Sequence, residues 1–150
     1  MKPIMYLDVD DTLLRWDNLR PGTPGNQAKE FVEWAKKNFE VRWLTAWCPS
    51  GKMGDIGKNR LATAFRVKPE FFNDMDNPKS WGMSDNKTDA IDFDDPREWV
   101  WVEDEILQRE IYILTTRDKV DRFIKTCVTE DPDALIKTKA ILKQRFHLDD

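Results

Sequence analysis

A chain of 150 residues has the length for one core, so residues 1–150 read as a single domain with nothing left for a second. Apolar residues make up 40% and charged residues 35%, as in a globular protein, and a net charge of −4 with a pI near 5.1 excludes bulk attraction to nucleic acid or anionic membrane. The start, with Lys2 and a short apolar run before Asp8, has neither a signal-peptide pattern nor a membrane span.

The first predicted strand, about residues 3 to 8, is Ile4-Met5-Tyr6-Leu7, followed at once by Asp8-Val9-Asp10-Asp11-Thr12. An apolar run ending in clustered carboxylates puts negative charge at the carboxyl end of a buried strand, where open α/β sheets bind ligands. Asp8 and Asp10 are two apart and share a face if the strand continues. Carboxylates so close repel one another unless a metal or a shared proton compensates. Oxygen donors suit a hard ion such as magnesium; a single His147, four residues from the end, and two distant cysteines do not make a zinc site. Cys48 and Cys127 read instead as reduced thiols of a cytoplasmic protein, Cys48 as a small buried residue rather than a reactive one.

Arg15 to Gly25 is rich in turn formers and cannot be helix. Asn26 is the expected cap of a helix reaching about Asn38, with Phe31, Trp34, Ala35 and Phe39 at helical spacing. A second strand, Glu40 to Thr45, completes a βαβ crossover with parallel strands. Residues 46 to 86 are less legible: Pro49, Gly51, Gly54 and Gly57 open a loop, Lys58 to Phe65 is helical, and Phe71 to Ser84 is irregular or holds one short strand. A short helix from Lys87 to about Phe93 precedes the strand Trp99 to Val102, whose Trp-Val-Trp-Val run is apolar on both faces, as a central parallel strand requires. Ile111 to Thr116 has strand propensity, yet Ile106, Leu107, Ile111 and Leu114 also make a helical stripe. Phe123 to Val128 is a further strand candidate, and Asp131-Pro132 starts a helix ending near Phe146. The basic pairs and sets on the helices, Lys36-Lys37 and Lys137/Lys139/Lys143/Arg145, read as solvated faces.

Asp-x-Asp-x-Thr after a four-residue apolar strand resembles the signature of the haloacid dehalogenase superfamily of phosphotransferases. The remaining motifs of that superfamily follow in its chain order: Thr45 ending Val41-Arg42-Trp43-Leu44, Lys87 in Asn86-Lys87-Thr88, and Glu103-Asp104 ending Trp99-Val100-Trp101-Val102. The match spans residues 4 to 104. It implies a three-layer, Rossmann-like α/β domain with a mostly parallel sheet, and a magnesium-dependent phosphomonoester hydrolase. Asp8 would be the nucleophile that becomes an aspartyl phosphate and Asp10 the general acid and base. Thr45 and Lys87 would bind phosphate oxygens. The metal would take a carboxylate oxygen of Asp8, the backbone carbonyl of Asp10 and an acid of the last motif, where the sequence departs from the commoner pair of aspartates by reading Glu103-Asp104-Glu105. Asp104 stands ahead of Glu103 as direct ligand, and Glu105 either supports the ligands from behind or begins the next helix. Asp11 is assigned to capping or hydration.

Neither slot used for cap insertion is long enough for one, so no cap domain is expected, and an open site suits a bulky or macromolecular phosphomonoester or closure by a partner subunit. Of seven tryptophans, Trp34, Trp43, Trp99 and Trp101 are core positions, while Trp16 and Trp47 follow motif residues in loops and either stack a substrate base at the rim or pack over the site. The substrate expectation is therefore a nucleotide or polynucleotide-end phosphate, with small non-nucleotide phosphomonoesters as the alternative. Two rival classes remain: a receiver domain, disfavoured because the last acids follow the lysine, and a non-catalytic module that keeps the fold and the metal site.

Overall fold

The computed structural model describes residues 1–17 and 22–150. Strand β1 (Ile4–Leu7) is buried along its whole length because it lies inside a four-stranded sheet with helices on both faces. It pairs in parallel with β4 (Glu40–Trp43) on one side and with β5 (Trp99–Glu103) on the other, and β5 pairs in parallel with β6 (Phe123–Lys125), giving the order β4-β1-β5-β6. Leu7 stands opposite both Trp43 and Val102. The chain therefore leaves three adjacent strands at one level, and residues 8, 44–45 and 103–104 are brought together by register alone. A small antiparallel pair, β2 (Leu14–Arg15) with β3 (Thr23–Pro24), closes the loop after β1.

The pleat of the sheet divides the core. Met5, Leu7, Val41, Trp43, Val100 and Val102 meet α1 (Ala28–Asn38), α2 (Asp55–Phe65) and α4 (Ala134–Phe146) through Phe31, Val32, Leu61, Phe65, Leu135 and Leu142. Ile4, Tyr6, Trp99 and Trp101 face the other way, onto Ala90, Ile91 and Leu114 of α3 (Gln108–Thr116). Both faces must therefore be apolar, which explains the unalternating runs in β1 and β5. Burying each large side chain in such a sheet contributes about 1.5–3 kcal/mol. The four tryptophans expected in the core are buried.

Several boundaries differ from the sequence reading. Asn26 does not cap α1: its side-chain amide donates to Asp133 at 2.8 Å, tying the start of α1 to that of α4, and Gln27 takes the cap position in the left-handed conformation at φ 59°. The second strand stops at Trp43; Leu44 still donates to the Leu7 carbonyl, and Thr45 already turns. Between Phe71 and Ser84 no strand forms, only a 3-10 turn over Pro69–Phe72 before an irregular run. The run is tied to the core by the buried Asn77, whose side-chain amide donates to the carbonyls of Trp43 and Ala90, each at 3.1 Å. Its backbone passes so close to Gly51, at φ 91°, that a Cβ there would lie 2.1 Å from the Asn77 carbonyl oxygen. The helix predicted from Lys87 is a 3-10 segment, Lys87–Ala90. Ile111 to Thr116 is helical, with Leu114 buried and Tyr112 70% exposed, so the 3.6-residue stripe prevailed over β propensity. Strand β6 ends before Val128 because the Val128 N–H is taken by the Asp11 carbonyl at 2.7 Å instead of a sheet neighbour.

Candidate active site

At the carboxyl edge of the sheet lies a cavity of about 280 Å³ lined by Asp8, Asp10, Lys87, Glu103 and Asp104, with Ala46, Trp81 and Leu107 as its apolar part. Asp8, only 4% exposed, leaves β1 with its N–H on the Val102 carbonyl at 3.2 Å. One of its carboxylate oxygens faces the Lys87 ammonium at 3.3 Å and the other accepts from the Thr12 hydroxyl at 3.3 Å. Lys87 also binds Glu103, and its ammonium stands 5.7 Å from the centroid of the Trp81 ring, within cation–π reach. Burial alone would lower the Lys87 pKa, but the Asp8 carboxylate, with the hydrogen bonds to Glu103 and Asp8, overrides it and holds the pKa above its ordinary value. Lys87 is therefore charged.

Two residues that the sequence reading did not single out set this lysine in place. Asn77 fixes the 87–90 segment to the end of β4, as described above. Glu110, 2% exposed on the first turn of α3, accepts the Lys87 backbone N–H at 2.9 Å and the Leu107 N–H at 3.0 Å. The only signal for Glu110 is its place three residues after the start of a helix, where a glutamate caps the free backbone N–H groups. Trp81 also escaped the sequence reading, because its segment has no periodicity.

Ligand oxygens of Asp8, Glu103 and Asp104 all lie within 4.8 Å of one another. Burial, then the neighbouring Asp8 carboxylate, pushes Glu103 up to about 12, and burial with the charges of Asp8 and Asp11 also raises Asp104. Three close carboxylates in a sheltered position, balanced by one lysine, form a set of hard oxygen donors short of positive charge, which fits a divalent ion of the magnesium class. Both Glu103 and Asp104 belong to the cluster. The Asp10 carboxylate does not, which leaves that residue only its backbone carbonyl for a metal.

Asp10 is instead held by Trp16 and Trp47, expected from their positions either to stack a substrate base at the rim or to pack over the site. The indole N–H groups of Trp16 and Trp47 both donate to Asp10 Oδ1, each at 2.8 Å. Neither ring lines the cavity; Trp81 does. Trp16 is 41% exposed, with its backbone N–H on the Thr129 hydroxyl at 3.0 Å, and that hydroxyl donates to Asp11 at 2.5 Å. Asp11 thus anchors the loop after β6 to the loop after β1. Trp47 is half-buried under the Arg60 guanidinium, which lies 4.8 Å from its ring. Thr45 is buried, 1% exposed, and is not among the residues lining the cavity; its hydroxyl oxygen accepts the Trp47 backbone N–H at 3.2 Å. Cys48 is buried, and its thiol is pushed up to about 12 by burial and by nearby Asp76 and Asp8, so it is inert.

No protein-family model, curated protein or solved structure matches the chain. Among the described residues both cysteines are free, and no helix is long and apolar enough to cross a membrane.

Proposed function

We propose that the chain is a phosphomonoester hydrolase of the haloacid dehalogenase type, assisted by magnesium and acting through an aspartyl phosphate on Asp8. The observation that carries this reading is the convergence of Asp8, Asp10, Lys87, Glu103 and Asp104, in that family's chain order, on one cavity at the ends of neighbouring parallel strands. Magnesium held by Asp8, the Asp10 carbonyl and the Glu103/Asp104 pair would supply the positive charge that lets a carboxylate approach a phosphate.

In the first half-reaction an Asp8 oxygen bonds to phosphorus while the bond to the leaving oxygen breaks, and Asp10 gives that oxygen its proton. In the second, the Asp10 carboxylate takes a proton from water as the water oxygen attacks phosphorus. The bond to Asp8 breaks with its electron pair returning to the carboxylate, and inorganic phosphate leaves. Lys87 provides a point charge for the non-bridging oxygens and keeps the Asp8 side chain aimed. The Thr45 hydroxyl, which accepts from Trp47, has its own hydrogen left to donate to a phosphate oxygen.

An uncapped mouth is part of this proposal, supported by residues 46–86 being spent on α2 and on loops packed against the core. Within it, a nucleotide or polynucleotide-end phosphate is the proposed substrate, supported by the Trp81 ring that lines the cavity beside Lys87. The test is turnover, with and without magnesium, of nucleotides, 3′- and 5′-phosphorylated oligonucleotides and small phosphomonoesters, repeated in Asp8→Asn. This variant keeps the shape of the side chain and removes the nucleophile, so turnover should fall by several orders of magnitude with the thermal melt intact. Substantial residual turnover in a contamination-free preparation rejects the covalent mechanism.

A further inference from the structure

Two indole N–H groups meeting on one carboxylate oxygen is an arrangement that packing does not require. Trp16 and Trp47 lie 31 positions apart in the chain and on different loops, and each reaches Asp10 Oδ1 at 2.8 Å. An indole nitrogen only donates, so Oδ1 must act as acceptor whether Asp10 is ionised or protonated. The proton of a neutral Asp10 is then confined to Oδ2, which has no partner among the described residues, in a side chain that lines the cavity. The clamp also fixes the carboxyl group against rotation. Each tryptophan is itself braced: Trp16 through Thr129 to Asp11, and Trp47 through its backbone N–H to Thr45 and through its ring to Arg60.

We propose that Trp16 and Trp47 are positioning residues that lock Asp10 so that Oδ2 alone exchanges the proton with the leaving oxygen and then with water. This inference rests on the phosphatase reading above and assigns the two rings to the proton-transfer step rather than to base stacking. The distinction is practical, because phenylalanine keeps a stacking face and removes the N–H, whereas alanine removes both.

The decisive comparison uses the full chain with magnesium: wild type, Trp16→Phe, Trp47→Phe and the double phenylalanine variant, each on an aryl phosphate and on a primary alkyl phosphate. An aryl oxygen leaves without full protonation, so only the alkyl ester needs a well-placed acid. The second half-reaction is common to both esters and also uses Oδ2, so the first step is read by rapid mixing: the double variant should release the alkyl alcohol about 10²-fold more slowly than wild type and the aryl alcohol within about threefold, while steady-state turnover slows on both. Retained aryl release also serves as the check that the variant is folded. Equal losses in the two release rates, or no loss in either, overturn the positioning role. In parallel, the indole N–H resonances of Trp16 and Trp47 should both move in Asp10→Ala; resonances that stay in place overturn the clamp itself. Moved resonances in a wild-type protein that hydrolyses neither ester would instead reject the phosphatase reading, and the positioning role with it.

Discussion

Asp8 and Asp10 are two residues apart and are satisfied in opposite ways: Asp8 by an ammonium and a hydroxyl, Asp10 by two aromatic N–H groups. The first leaves a charged oxygen near other acids, and the second takes its carboxylate out of that cluster. Glu103 bears the consequence. Its proton is held more tightly in the folded chain than in the unfolded one, where a glutamate titrates near 4.5. Above that value the unfolded chain has released a proton that the folded chain keeps, so stability falls as pH rises. Lys87 is also shifted upward, but its contribution is intact at neutral pH and is lost only as the pH climbs past 10.5. In a chelator, the melting temperature should therefore decline between about pH 5 and about pH 9, and Glu103→Gln, which carries no charge to desolvate, should flatten that decline. A wild-type melting temperature that rises over this interval would contradict the assignment. Thermal melts across the pH series, in wild type and variant, read it directly.

The elements carry the residues to the site, but short polar connections set the final geometry. Strand β5 delivers Glu103 by register, whereas Lys87 sits on a single 3-10 turn with little intrinsic stability. It is held from two sides, by Asn77 toward β4 and by Glu110 toward α3. Glu110→Ala removes the acceptor of two backbone N–H groups near the cavity, each costing about 1–3 kcal/mol if left unsatisfied. The expected outcome is a destabilised protein in which turnover falls further than the fraction unfolded explains, because Lys87 loses its aim. Glu110→Gln keeps one acceptor oxygen but sets an amide NH2 against the other backbone N–H, so it should recover only part of either. Denaturant unfolding beside kcat at matched folded fraction separates the two effects.

For the molecule as a whole, the site concentrates negative charge on a chain that is already net negative at −4. Asp8, Glu103 and Asp104 converge with one lysine among them, so a divalent ion should bind the folded state and not the unfolded one. By mass action, magnesium at about a hundredfold over its dissociation constant should add about 2.7 kcal/mol of stability. Calorimetry with magnesium should show this increment in wild type and a much smaller one in Asp104→Asn. A melting temperature indifferent to magnesium at every concentration would remove the ion from the proposal.

The parallel sheet with β1 inside it and the gathering of Asp8, Glu103 and Asp104 at one edge were readable from the sequence, because apolar runs and breakers are local signals and register turns them into a site; Lys87 was expected there only through the resemblance to the haloacid dehalogenase motifs, and Ile111 to Thr116 stayed open between strand and helix. Four of the seven tryptophans were legible as core for the same reason. What the sequence left open were interactions between segments with no period of their own. Asn26 bonding Asp133 rather than capping α1, Asn77 joining two carbonyls, and Val128 turning from the sheet to Asp11 each depend on a partner distant in the chain. The same holds for Trp16 and Trp47: composition and position placed them near the mouth, as stackers or packers, and only the tertiary structure brought both N–H groups to one oxygen of Asp10. Direction of a hydrogen bond is a property of the folded arrangement, and no pattern along the chain encodes it.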